Sequence, residues 1–254
     1  MISQFATLIR MDVLKLRRRR GLMAIALLIA VGSVSVLFAV RAVRHGINPT
    51  QVAPAGGLQS FQDATDFLGM IGVVVAAMIG VTAGAGDAEL GVLRDLVATG
   101  RSRLVLFGSR AAAAVAVTLA ILAAALVVVT TLSIALAGSA QVPSLSEIVQ
   151  RDAAVLGFVA AFALVCAGIG SFVRTRGPLM ASVIAFGVLI SQLLLRVSFL
   201  GSVRAVLPLA AFDRVVGDGV SGLKISLPVA IAVLVGWAVA ALAAGGWWAR
   251  RVEI

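Results

Sequence analysis

Six runs of about twenty residues, each free of Asp, Glu, Lys, Arg and His, dominate this chain: residues 22–40, 67–86, 111–137, 153–173, 178–195 and 225–249. A helix rises about 1.5 Å per residue, so about twenty residues cross a hydrocarbon layer of about 30 Å, and a helix satisfies its own backbone polar groups where no water can. A charge near the centre of a span costs on the order of 2.5–3.5 kcal/mol on insertion scales, so six clean runs predict six spans. The expected fold class is all-α, a polytopic membrane protein with six transmembrane helices.

At 61% hydrophobic and 13% charged residues, the chain has too little polar surface to coat a soluble globule, so residues 1–254 read as a single transmembrane domain. The first run follows a basic cluster, is long for a leader and lacks a small-residue cleavage site, so it is expected to be retained. Cys166, the single cysteine, lies inside a run and reads as a small apolar packing residue.

The net charge of +10 is distributed like a membrane topology signal rather than a nucleic-acid patch. With the N-terminus in the cytoplasm, Arg10, Lys15, Arg17, Arg18, Arg19, Arg20, Arg94, Arg101, Arg103, Arg110, Arg174, Arg176, Arg250 and Arg251 fall inside. Arg41, Arg44, Arg151, Arg196, Arg204, Arg214 and Lys224 fall outside, a split of fourteen to seven among the 21 cations. That is the expected positive-inside bias, with both termini cytoplasmic. Arg17, Arg18, Arg19 and Arg20 read as a membrane anchor that meets anionic lipid, and Trp247 and Trp248 beside Arg250 and Arg251 as an interfacial belt. Membrane lipids are expected partners; nucleic acid is not.

Residues 1–20 place Ile2, Phe5, Leu8, Ile9, Val13 and Leu16 at helical spacing, as in an amphipathic helix lying along the cytoplasmic interface. Residues 41–66, with Pro49, Pro54, Gly56 and Gly57, read as an irregular outer loop. The apolar stretch 203–212 is too short to span and, broken by Pro208, reads as a re-entrant or interfacial piece. Gly80 and Gly84, four residues apart with Ala76 before them, predict close helix packing.

Catalytic sets are sparse. Gly84-Ala85-Gly86-Asp87 spells the GxGD pattern of intramembrane aspartyl proteases, but that chemistry needs a second membrane carboxylate, and the other acids read as loop or terminal residues. A serine nucleophile would need a base, yet the only histidine is His45 in an outer loop. No zinc or other metal-binding spacing is present, nor a GxxxxGK[ST] phosphate loop. The chain is therefore expected to be no enzyme by itself and to bind no cofactor of its own. A carrier driven by protons or sodium would need ionisable groups along its pathway, so any transport would draw its energy from another polypeptide.

The most informative polar segment follows the second run. Glu89, Arg94 and Asp95 alternate with Leu90, Leu93, Leu96 and Val97 at three-to-four spacing, which predicts a short cytoplasmic helix at about 88–98. Glu89-Leu90-Gly91-Val92-Leu93-Arg94, then Arg101-Ser102-Arg103, then Gly108 to Arg110, in a chain ordered as interfacial helix, six spans and long outer loop before the last, resembles the type-2 family of ABC transporter permeases. The resemblance implies a bacterial cytoplasmic membrane protein, a second permease copy or homologue, and two copies of an ABC ATPase subunit that carry the ATP and Mg. It also implies that the helix at 88–98 couples to the ATPase, with Glu89, Gly91, Leu93, Arg94, Asp95, Leu96, Arg101 and Arg103 as the coupling residues. The expected function is export of a hydrophobic or amphiphilic substrate; the alternative is a membrane component that signals or maintains the envelope without transport.

Tyr is absent and Trp is limited to three residues, which disfavours a sugar-stacking path. Uncharged polar residues in the runs, Ser33, Ser191 and Gln192 first among them, are candidates for a substrate pathway, and hydroxyls of this kind read equally as helix–helix hydrogen bonds.

Overall fold

In the computed structural model, residues 2–89, 102–173, 175–217 and 223–251 are described, and all their regular structure is helical. The elements are α1 (Ile2–Arg18), α2 (Arg20–Ile47), α3 (Leu58–Glu89), α4 (Arg103–Ala135), α5 (Leu145–Gly170), α6 (Arg176–Arg196), a 3₁₀ segment (Ser198–Val206), α7 (Pro208–Val216) and α8 (Leu227–Arg251). Helices α2, α3, α4, α5, α6 and α8 are each long and apolar enough to cross a membrane. The protein is an all-α polytopic membrane protein.

The helices outrun the apolar runs at several ends. Helix α3 starts at Leu58 and α2 continues to Ile47, so the irregular part of the expected 41–66 loop shrinks to 48–57. Charge-bearing turns can remain helical once they leave the hydrocarbon, because the backbone bonds are internal to the helix. Gly56 and Gly57 donate their N–H groups to Leu136 O (2.9 Å) and Ser133 O (2.8 Å), satisfying carbonyls that the end of α4 leaves open. Gly57 has φ +88° and a Cβ on Gly56 would strike the Leu136 backbone, so this strap needs both glycines.

Helix α3 is the axis of the bundle, packing on α5 and α4 along most of its length. Of its most apolar window 78% is buried, against 17% for α6 and 17% for α8, whose outer faces stay free. The sequence ladder Gly80 and Gly84 lies on the α3–α5 seam: a Cβ on Gly80 would sit 2.6 Å from Cys166 Cβ, and one on Gly84 2.5 Å from Ala167 O. Small residues there let the two backbones meet, which is how helices associate where no hydrophobic force drives them.

The 203–212 stretch is regular where a break at Pro208 was expected: after the 3₁₀ segment, Pro208 opens α7, and Leu209 to Phe212 are buried in the bundle. Proline at the first helical position gives up an N–H that had no helical acceptor, so it starts a helix here rather than breaking one. Phe212 stacks on Phe158 of α5 with centroids 4.4 Å apart.

Candidate functional site

Alternation along the chain puts α1, the end of α3, the start of α4 and the end of α8 at one end of the bundle, here called the basic end. Arg19 has φ −78° and ψ 71°, outside helical values, and this single residue separates α1 from α2. The kink folds α1 back onto α4. The Phe5 ring covers Gly108, its carbons 3.7 and 3.8 Å from where a Cβ would stand. Leu16 is buried and Val13 packs against the core, so part of the apolar stripe expected to face lipid is used on protein.

Polar groups then fix the clamp. Ser109 Oγ, fully buried on α4, donates to Asp12 Oδ2 on α1 at 2.7 Å, with Leu106 O 3.0 Å away. Arg19 reaches over the last turns of α3, its Nη2 3.3 Å from the Cβ position of Gly86. Lys15, Arg19, Thr82 and Arg110 enclose a cleft of about 20 Å³ with Asp12. That is room for about one water. Arg17, Arg18 and Arg20 are exposed around it, so the four arginines read together as an anchor divide into three facing outward and one, Arg19, turned inward. Trp247 lies under Arg251, whose guanidinium carbon is 4.1 Å from the ring centroid, while Trp248 packs on Phe172 at 5.4 Å.

Helices α3 and α4 are joined by residues 90–102. The expected coupling residues Gly91, Leu93, Arg94, Asp95, Leu96 and Arg101 lie outside the described residues, as does nearly all of the expected helix at 88–98. Glu89 is the last residue of α3. Arg103 opens α4 and its Nη1 donates to Arg250 O at 3.5 Å, linking the start of α4 to the end of α8.

The candidate pathway residues are not gathered. Ser33 is on α2 and donates to Ala30 O at 3.4 Å; Ser191 and Gln192 are on α6, where Ser191 Oγ donates to Phe186 O at 2.8 Å after a π-helical turn at Ala185–Ile190. Ser35, Thr131 and Ser182 likewise bond carbonyls four residues back in their own helices. Each of these hydroxyls bonds a carbonyl of its own helix, while Ser182 and Thr131 also line cavities. An apolar cavity of about 220 Å³ lies elsewhere, between Phe158 and Phe162 of α5, Phe186 of α6, and Leu234 and Trp237 of α8.

At the opposite end the sequence reading missed a polar network. Arg151, buried on α5, donates from Nη1 to Asp66 Oδ1 of α3 at 2.9 Å, with Thr65 Oγ1 and Gln62 O at 3.5 Å. Arg41 of α2 pairs with Asp63 of α3 at 2.9 Å. Asp63, Asp66 and Asp152 are all helical, correcting their placement in loops. A local signal existed. Ser144 and Glu147 form a capping box, Ser144 N donating to Glu147 Oε2 at 2.7 Å, and Ser-x-x-Glu before an apolar run marks a helix start eight residues earlier than hydropathy does. Among the described residues no group of three or more His, Cys, Asp or Glu side chains could hold a metal ion. Comparison with models of known protein families and with characterised proteins finds no match to the chain.

Proposed function

We propose that this chain is the membrane-spanning permease subunit of an ATP-driven ABC exporter in a bacterial cytoplasmic membrane, with both termini cytoplasmic. It works with a second permease copy or homologue and with two ATPase subunits, which carry ATP and Mg, and it moves a hydrophobic or amphiphilic substrate. One observation carries the reading: α1 is clamped by Asp12–Ser109 and Arg19 onto the two helices that residues 90–102 connect. A push on that connection is delivered to α3, the most buried helix, and through the glycine seam to α5. Close-packed helices move as bodies, so a small displacement at the basic end becomes a tilt of the spans that alternates access to the two sides. Glu89, Arg94 and Asp95 would set register at the rim of the ATPase groove, with Leu93 and Leu96 as apolar anchors.

The test is reconstitution with the ATPase subunit that co-purifies from native membranes. Glu89→Ala and Leu93→Asp are expected to abolish permease-stimulated ATP hydrolysis while leaving insertion unchanged. Stimulation at the level of the unaltered chain in both variants would overturn the coupling role. Hydrolysis that answers to no amphiphile would favour a signalling component over an exporter.

A further inference from the structure

We propose that the groove between α4 and α5 at the end opposite the basic end binds a cationic amphiphile, with Asp152 as counter-ion and the aliphatic lane beside it as the seat of the chain. Ile148, Asp152 and Leu156 recur every four residues on α5, and Ala123, Val127 and Thr131 do so on α4, so each set lies along one side of its helix. Between them is a cavity of about 350 Å³. Small-ligand sites occupy about 300–1,000 Å³.

The charge selects the ligand. Asp152 Oδ1 is buried and accepts no hydrogen bond. Its sequence neighbour Arg151 is committed to Asp66 on α3, and among the described residues no cation pairs with Asp152. Thr131 Oγ1 already donates to Val127 O, so it brings no proton to the carboxylate. A half-buried carboxylate with one oxygen shut off from water and given no donor is costly, and an ammonium group offsets that cost where a phosphate or sulfate would add to it.

Depth selects the ligand's shape. Asp152 lies seven residues beyond the start of α5 at Leu145, about 10 Å along the axis, which is interfacial rather than central. From there Leu156 and Ala123 lead toward the middle of the bundle. A head that is charged and a tail that is apolar match that gradient, and an inorganic cation would leave the lane empty. Binding at this groove requires no ATPase subunit.

The test places the full chain in nanodiscs of zwitterionic phospholipid with a dodecyl trimethylammonium probe bearing a diazirine on its chain, and maps adducts by mass spectrometry. Adducts are expected around Val127 and Leu156, displaced at least about tenfold better by dodecyl trimethylammonium than by dodecyl sulfate or dodecanol. Asp152→Asn is expected to erase that preference while labelling by a neutral diazirine alcohol persists, and Asp152→Glu to keep it. Equal displacement by all three competitors overturns the proposal, and so does protection of the groove by a second copy of the chain. Should Asp152→Asn fail to insert, the competition series on the unaltered chain decides by itself.

Discussion

The two ends of the bundle use arginine in different proportions. At the basic end Arg17, Arg18 and Arg20 stand exposed, and of that cluster only Arg19 turns inward. At the other end Arg41 and Arg151 pair with Asp63 and Asp66, Arg204 donates to Leu195 O at 2.9 Å and Gly201 O at 3.1 Å, and Arg214 donates to Ile225 O at 2.7 Å. A count of cations per side treats all of them as equivalent. The structure separates surplus charge, free to meet anionic headgroups, from charge consumed in holding helices together. Four of the seven cations opposite the basic end are internally bonded, through Arg41, Arg151, Arg204 and Arg214.

Removing a consumed arginine should cost the most. Arg151→Ala strands Asp66 at the α3–α5 contact; breaking a fully buried pair costs about 3–5 kcal/mol, and with the Asp66 side chain 35% exposed we expect about 2 kcal/mol. Denaturant unfolding in micelles measures it, and Arg151→Ala combined with Asp66→Ala should cost less than the sum of the two single changes. Unfolding of Arg151→Ala at the position of the unaltered chain would erase the contrast between the ends. An intermediate effect is expected at the clamp: Asp12→Ala removes a charge-assisted bond to buried Ser109, costing about 1.5 kcal/mol and freeing α1. A spin label on Met11→Cys should then report faster motion, whereas unchanged mobility would show that packing by Phe5 and Leu16 suffices. The smallest change is Arg41→Ala, whose pair with Asp63 is 28% and 50% exposed; about 0.5 kcal/mol is expected, shrinking at high salt. A loss of several kcal/mol there would mean the pair is shielded from solvent.

Hydropathy located the spans because lipid imposes one rule on every helix it surrounds. It read their ends poorly because a helix need not stop where its apolar run does. Asp152, one residue before the apolar run at 153–173, reads as a loop residue for that reason, and Ser144 with Glu147 is the local evidence that α5 begins at Leu145. Gly80 and Gly84 were legible because four-residue spacing of small side chains has a geometric meaning on any helix. Nothing comparable marked the Asp12–Ser109 bond, which joins positions 97 apart, or the Arg151–Asp66 pair, 85 apart. Ser33, Ser191 and Gln192 share only polarity, and polarity does not say that Ser33 and Ser191 turn back onto carbonyls of their own helices.

What the chain determined by itself is its solvent, its helical class and the lopsided charge of its two sides, since each follows from composition summed over a stretch of residues. What tertiary structure decided is the direction each polar side chain takes: which arginine turns inward, which carboxylate is paired and which is left in a groove. Those outcomes depend on the rotation of one helix against another, and that rotation is set by packing between residues far apart in the chain.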